Sequence, residues 1–262
     1  MTNELKFVPD SQIIYPSIFL ASSTKISFRA CQYRDCFNIL KEHYNYVILP
    51  ASKSDFSTLI LKKFRRFLEI VENEISKARQ NKSTEIEFYK KTYGLLKSLD
   101  AFGKSLGDLL LFWDANKEIF WSFVSLDYVL TQTRMTNMTL EKMAEFSKIC
   151  RGHEEQFSEE EASLSQGLYL VIKEARDKKL VTSFANDADL LILADCFVYK
   201  NMRFFEGFMY LVTGDDGLHR IAEEIVKKPK TIFPDDFTDT DRYVGFEPLK
   251  PDLFLTRFKK PK

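Results

Sequence analysis

The chain has 262 residues, 45% hydrophobic and 29% charged, with thirty-eight basic side chains offset by thirty-eight acidic ones. That length points to one large domain or to a domain with a substantial insertion, and a net charge of zero argues against a surface that is basic throughout, leaving room for local basic patches. Nine Gly, eight Pro and twenty-four Phe exclude a collagen-like repeat, a mucin-like stalk and a disordered acidic tail.

The N-terminus carries Glu4 and Asp10 early and does not read as a secretory leader. Residues 12–21 (QIIYPSIFLA) predict a buried strand running into a turn or short helix, with Pro16 interrupting any regular ladder. Residues 28–43 predict a helix with Phe28, Cys31, Cys36, Ile39 and Leu40 on its apolar face. Residues 46–49 (YVIL) predict a short apolar strand ending at Pro50. Short apolar runs separated by a helix favour a parallel α/β sheet over a sandwich.

From about 58 to 165 the pattern is overwhelmingly helical. Helices are expected over 59–78, 85–99 and 101–112, while 119–130 suits a strand as well as a helix. Thr139 is a candidate cap for a helix reaching Cys150, closed by Arg151-Gly152. Ser158 with Glu161 three residues later has the capping-box pattern and predicts a helix through about 174. Alternation then returns, with strands over 180–183 (LVTS), 209–213 (MYLVT) and 231–233 (TIF), and helices over 187–199 and 218–226. After about 239 a tail rich in Pro, Lys and aromatics packs as a strap or frays. The basic side chains Lys259, Lys260 and Lys262 close it.

No apolar run reaches the roughly 18 residues of a membrane span. Cys31, Cys36, Cys150 and Cys196 do not form two close pairs, so reduced thiols of a cytoplasmic protein are expected rather than a zinc ribbon. Neither dinucleotide-binding nor phosphate-loop glycine motifs are present.

The informative signal is the placement of acids. Asp187 and Asp189 open a helix with an apolar body, where an acid suits the helix dipole. Asp215 and Asp216 follow the strand MYLVT, and Asp55 lies just beyond YVIL. In parallel α/β folds ligands collect at the carboxyl ends of strands. Carboxylates gathered there repel one another unless a hard divalent cation offsets them. The plainer reading makes Asp55 and Asp187 helix caps and Asp215-Asp216 a solvated turn.

In order and wording these motifs resemble the PIN-domain family of metal-dependent nucleases. Asp187-Ala-Asp189-Leu-Leu-Ile-Leu-Ala194 resembles the family's third acidic motif, and Leu211-Val-Thr213-Gly-Asp215-Asp216 its strand ending in V-T-x-D. Residues 231–237 (TIFPDDF) resemble the closing strand and its exit. Tyr46-Val-Ile-Leu-Pro50 resembles the second strand, with Asp55 nearest to the following acid. Residues 13–20 resemble the opening strand, with Ser17 at a supporting hydroxyl position and Tyr15 where the family places a metal-binding Asp. A second register opens the fold at residues 123–127, which restores that acid as Asp127 and draws the next from Glu154, Glu155 or residues 159–161.

The resemblance implies a three-layer α/β domain with a central parallel sheet over 10–60 and 180–240. A helical insertion or second lobe would occupy 61–179 and a basic tail 241–262. It implies an endonuclease that hydrolyses RNA with Mg2+ or Mn2+ held by Asp187, Asp215, Asp216 and Asp55, with Asp55, Asp187 and Asp215 catalytic. Ser17, Thr213 and Asp189 would support the site. Lys62, Lys63, Arg65 and Arg66 would grip the nucleic-acid backbone, since such contacts supply affinity without reading sequence. The departure at Tyr15 underlies the alternative, a catalytically degenerate member that binds RNA, or a protein partner through the insertion, without cutting. A purely helical adaptor would require the strands near Leu180 and Met209 to be absent.

Overall fold

A computed structural model describes residues 4–20, 27–102, 107–181, 184–204, 206–233 and 245–258. Its sheet begins upstream of the expected first strand. Leu5–Pro9 (LKFVP) forms β1, and the chain returns to it some two hundred residues later with β2 (Phe208–Val212) and β3 (Phe246–Leu249). β2 is central, and both neighbours run parallel to it. Leu5 lies opposite Phe208 and Pro9 opposite Val212, while Met209 lies opposite Phe246.

The predicted strand YVIL continues this arrangement on the other side of β1 only through isolated parallel bridges, Phe7 to Tyr46 and Ile48 to Glu154. The Val47 N–H donates to the Phe7 carbonyl at 2.8 Å and the Ile48 N–H to the His153 carbonyl at 2.7 Å.

The helices in chain order are α1 (Ser11–Phe19), α2 (Phe28–His43), α3 (Pro50–Thr58), α4 (Arg65–Gln80), α5 (Glu85–Phe102), α6 (Gly107–Ser122), α7 (Tyr128–Cys150), α8 (Glu159–Asp177), α9 (Asp187–Met202), α10 (Asp216–Lys227), α11 (Pro229–Ile232) and α12 (Pro251–Arg257). A π-helical turn, Leu59–Phe64, leads into α4, and a 3-10 turn, Phe123–Ser125, separates α6 from α7. Contacts divide the chain into an α/β unit (Met1–Ser17, Arg29–Asp55, Cys150–Lys262) and a helical unit (Ile18–Phe28, Phe56–Ile149). The molecule is thus a three-layer α/β fold with a central parallel sheet and a large helical insertion.

Alternation along the strands builds the layers. Val8, Met209 and Leu211 join a core with Leu190, Leu193, Phe197, Leu218 and Ile221 from α9 and α10. Phe7 and Tyr210 point the other way, into a cluster of rings with Tyr44, Phe254 and Phe258. α10 buries Leu218, Ile221, Ala222 and Ile225, the spacing of a one-faced helix. α9 is buried nearly all round, as its unbroken apolar body requires.

In the helical unit the core is aromatic. Phe112 meets Phe64 and Phe67 edge to face, as Phe67 meets Phe120, while Phe64 stacks on Phe67, Phe120 on Trp113 and Phe56 on Phe146. Among the described residues no helix is long and apolar enough to cross a membrane.

Several expected elements take other forms. Residues 12–20 are not a strand but belong largely to α1, with Pro16 inside it. Ile13, Ile14, Tyr15, Ile18 and Phe19 are all buried, and an apolar run covered on every side carries no helical period to read. The TIF segment is the end of α11, where Pro229 occupies a first-turn position that lacks an N–H partner in any helix. Residues 234–237 lie outside the described residues, as do residues 21, 103–106, 182–183 and the lysines at 259, 260 and 262. Leu180 and Val181 form no strand.

Thr139 falls inside α7 rather than capping it. The second register fails because residues 123–125 are a 3-10 turn, and Asp127 instead accepts the Leu130 N–H at 2.8 Å as α7 begins. The tail forms β3 and α12.

The capping box at α8 is formed as expected. The Glu161 N–H donates to the Ser158 hydroxyl at 3.2 Å, and the Ser158 N–H donates to the Glu161 carboxylate at 2.7 Å. Ser158→Ala should lower the unfolding free energy by about 1 kcal/mol. Urea denaturation checks this, and an unchanged midpoint would mean that α8 is held by packing alone.

Candidate functional site

The carboxyl ends of the parallel strands gather four acids. Asp10 follows the last residue of β1, and its N–H donates to the Val212 carbonyl at 2.9 Å. Its carboxylate accepts the Thr213 hydroxyl at 2.8 Å. The Ser11 hydroxyl donates to Asp55 at 2.5 Å and lies 3.3 Å from Asp10, so it sits between the two carboxylates. Thr213, fully buried at the end of β2, also accepts the Asp215 N–H at 3.0 Å. Asp215 then caps α10 by accepting the Leu218 N–H at 2.8 Å. Asp189 closes the capping box of α9 by accepting the Asn186 N–H at 2.9 Å.

The loop between β2 and α10 is held closely. The Arg29 guanidinium donates to the Gly214 carbonyl at 2.7 Å. A Cβ at Gly214 would lie 2.1 Å from the Tyr33 hydroxyl oxygen, so any side chain there must displace that ring.

Burial and like charge act together on this rim. Burial pushes the Asp10 carboxyl up to about 6, with Asp55 and Asp215 adding to the rise and the Thr213 hydroxyl opposing it. Burial likewise pushes Asp189 up to about 7, reinforced by the charges of Asp10, Asp215 and Asp55. The four carboxylates therefore share one electrostatic environment.

Two other candidate acids do not join it. Asp187 is half exposed and paired with Lys173 at 3.0 Å and Arg176 at 2.9 Å, which hold it below the usual carboxylate range. Asp216 is paired with Lys250 at 2.6 Å and is held low by that lysine. Ser17 lies in α1, with its covered hydroxyl oxygen unbonded among the described residues. Lys62, Lys63, Arg65 and Arg66 lie in the helical unit.

A divalent cation of the magnesium type requires several oxygens converging at about 2.0–2.1 Å. Among the described residues, no three Asp, Glu, His or Cys side chains are arranged to hold one metal ion. The physical reason is visible at each acid. Asp10 is turned to the Thr213 hydroxyl, Asp55 to Ser11, and Asp189 and Asp215 to backbone N–H groups of their own helix starts. The residues present do not fit the expected Mg2+ or Mn2+. This corrects the expectation of a metal cofactor, and with it that of a metal-dependent endonuclease or other hydrolase acting on RNA.

Asp10 is absent from the acids expected of the sequence. Its signal there is slight, an apolar run of five residues broken by Lys6 and ending in Pro9-Asp10. With Asp10 in place, the residue that stands at the end of the first strand is an acid and not Tyr15, which lies one turn into α1.

By fold and by rim this is a three-layer α/β protein with a helical insertion and strand-end acids. Comparisons with protein families, with curated proteins and with solved structures each find no match.

Proposed function

We propose that the chain is a catalytically degenerate PIN-like protein that binds RNA through its helical unit without cutting it. The observation that carries this reading is the basic run Lys62, Lys63, Arg65 and Arg66. Ile60, Phe64, Phe67 and Leu68 are buried, so the four cations fall on the complementary arc of the same helical segment. Among the described residues only Arg65 has an acidic partner, Glu69 at 3.4 Å. Exposed Lys and Arg that are not neutralised by neighbours are what a phosphate backbone recognises. The helical unit also carries more basic than acidic side chains, and the α/β unit the reverse.

The PIN-like part of the reading is supported by Asp10 and Asp215 at the ends of β1 and β2, with Asp55 from α3 and Asp189 from the start of α9 beside them. Its degenerate part is supported by the hydrogen bonds that turn each of those carboxylates away from a common point.

The test is fluorescence anisotropy with a labelled single-stranded RNA over a salt series. Replacing Lys62, Lys63, Arg65 and Arg66 together by Ala should weaken binding at least about tenfold. The slope of log affinity against log salt should also flatten, by about 0.7 for each phosphate the variant no longer neutralises. The RNA should be recovered at full length. Absence of binding, or binding indifferent to the quadruple variant, would overturn the proposal, as would cleavage that disappears in Asp10→Asn.

A further inference from the structure

The helical unit contains a cavity of about 470 Å3 lined from α6 and α7, the 3-10 turn between them, and the Ile18-Phe19 segment. That volume is within the roughly 300–1,000 Å3 of small-ligand sites. Its inner wall is apolar, with Phe19, Phe112 and Phe123 each almost fully buried. Its mouth is polar. Asn116 donates its amide to the Phe112 carbonyl at 2.8 Å, which leaves its amide oxygen unengaged among the described residues. Asn137 adds a second amide.

The charged groups at the mouth divide in two. Lys142 is committed, bonded to the Ile18 carbonyl at 2.8 Å and to Glu145. Arg134 and Glu141, seven residues apart on α7, both line the cavity, and among the described residues neither has an ion-pair partner. A cation and an anion at one mouth, over an apolar wall flanked by amides, complement a ligand that has a flat apolar body, a hydrogen-bonding edge and an anionic group.

From this we infer that the cavity is a nucleotide subsite, taking one unpaired base with its 5′-phosphate on Arg134 and an exocyclic amine on Glu141. The choice of ligand class rests on the RNA reading. Phe64 makes the connection, since its ring meets Phe19 and Phe112 in the cavity wall while its helical segment carries the basic run. Single-stranded RNA is commonly read in this way, by bases splayed into pockets while the backbone is held by cations. The carboxylate at the mouth favours bases that can donate, since only an amine-bearing base gives Glu141 a charge-assisted hydrogen bond.

Isothermal titration of the full chain with AMP, GMP, CMP and UMP tests the inference. The three amine-bearing nucleotides should bind at least about fivefold more tightly than UMP, the kind of margin one charge-assisted hydrogen bond supplies. Glu141→Gln should remove that preference. Arg134→Met should weaken AMP while leaving adenosine unchanged, and Met138→Trp should obstruct the cavity and weaken binding of all four nucleotides. The first two changes lie on the exposed face of α7 and serve if Met138→Trp does not fold, as circular dichroism would reveal.

The quadruple variant of the basic run distinguishes this subsite from the RNA-binding face, since it should lose RNA and keep mononucleotides. If RNA fails to bind while AMP still does, the RNA reading falls and the subsite stands. No mononucleotide binding at millimolar concentration, or binding without base preference and indifferent to all three variants, overturns the subsite whatever RNA does.

Discussion

Phe7→Ala should destabilise the α/β unit by about 3–5 kcal/mol, the cost of deleting a large ring from a filled core. Phe7 has no exposed surface. Its ring stacks on Tyr210 at 5.2 Å and meets Tyr44, Phe254 and Phe258 edge to face at 5.1, 5.5 and 5.2 Å. These four come from the residue after α2, from β2, and from α12 with the residue that follows it, so one side chain joins the layer on that face of the sheet. Aromatic pairs contribute about 0.5–1.5 kcal/mol each beyond their buried area. Urea denaturation followed by circular dichroism measures the change. Phe7→Leu should recover more than half of it, because most of the volume returns. A destabilisation below about 1 kcal/mol would mean that the cluster collapses around the missing ring.

The second large effect is a fall in stability as the solution is made more alkaline. Asp10 and Asp189 have folded values raised to about 6 and about 7, against 3.8 for a free aspartate. Between those limits the folded chain holds protons that the unfolded chain has released. Their contribution is therefore complete below about pH 4 and is lost as the pH rises through 6 and 7. For Asp10 alone the difference corresponds to about 3 kcal/mol.

Glu161 acts in the opposite sense. Hydrogen bonding to Arg203 lowers it to about 2, and its contribution is lost as the pH falls from about 4.5 towards that value. The two trends place maximum stability in acidic solution, near pH 4, with a steady fall from there to about pH 7. Melting temperatures across pH 3 to 9 locate it. Asp10→Asn, which can still accept from Thr213, should flatten the alkaline side and raise stability at pH 8. A profile that rises from pH 5 to 8, or that the variant does not alter, would show that the rim acids are solvated.

What can be read from the sequence is what is encoded locally. The α8 cap rests on Ser158 and Glu161, three residues apart, and the helix starts there. α9, β2 and α10 lie close to their expected bounds because long apolar bodies and one-faced spacing survive any tertiary context. β1 and β3 are hidden from such a reading. Each is four or five residues long, interrupted by Lys6 and Pro9 or by Glu247 and Pro248, and exists because β2 lies beside it.

The site divides in the same way. Acids at strand ends can be seen in the sequence, and Asp55, Asp189 and Asp215 do share an environment. What each carboxylate bonds to cannot be seen, because the Ser11 contact to Asp55 spans 44 residues and the Thr213 contact to Asp10 spans 203. Those partners decide whether the oxygens converge on a cation.

The pairing of Leu5 with Phe208 sets the order in which the molecule can be made. A ribosome releases β1 first, yet until β2 emerges, after the whole helical insertion, β1 has only the isolated bridge to Tyr46 beside it. Contacts so distant along the chain are slow to form, whereas helices joined by short connections assemble quickly. During synthesis the insertion is therefore expected to complete its aromatic core while β1 waits for its ladder with β2, and the sheet closes last. Arrested nascent chains ending near residue 180 should accordingly protect the helical segment from protease and leave residues 4–10 open to it.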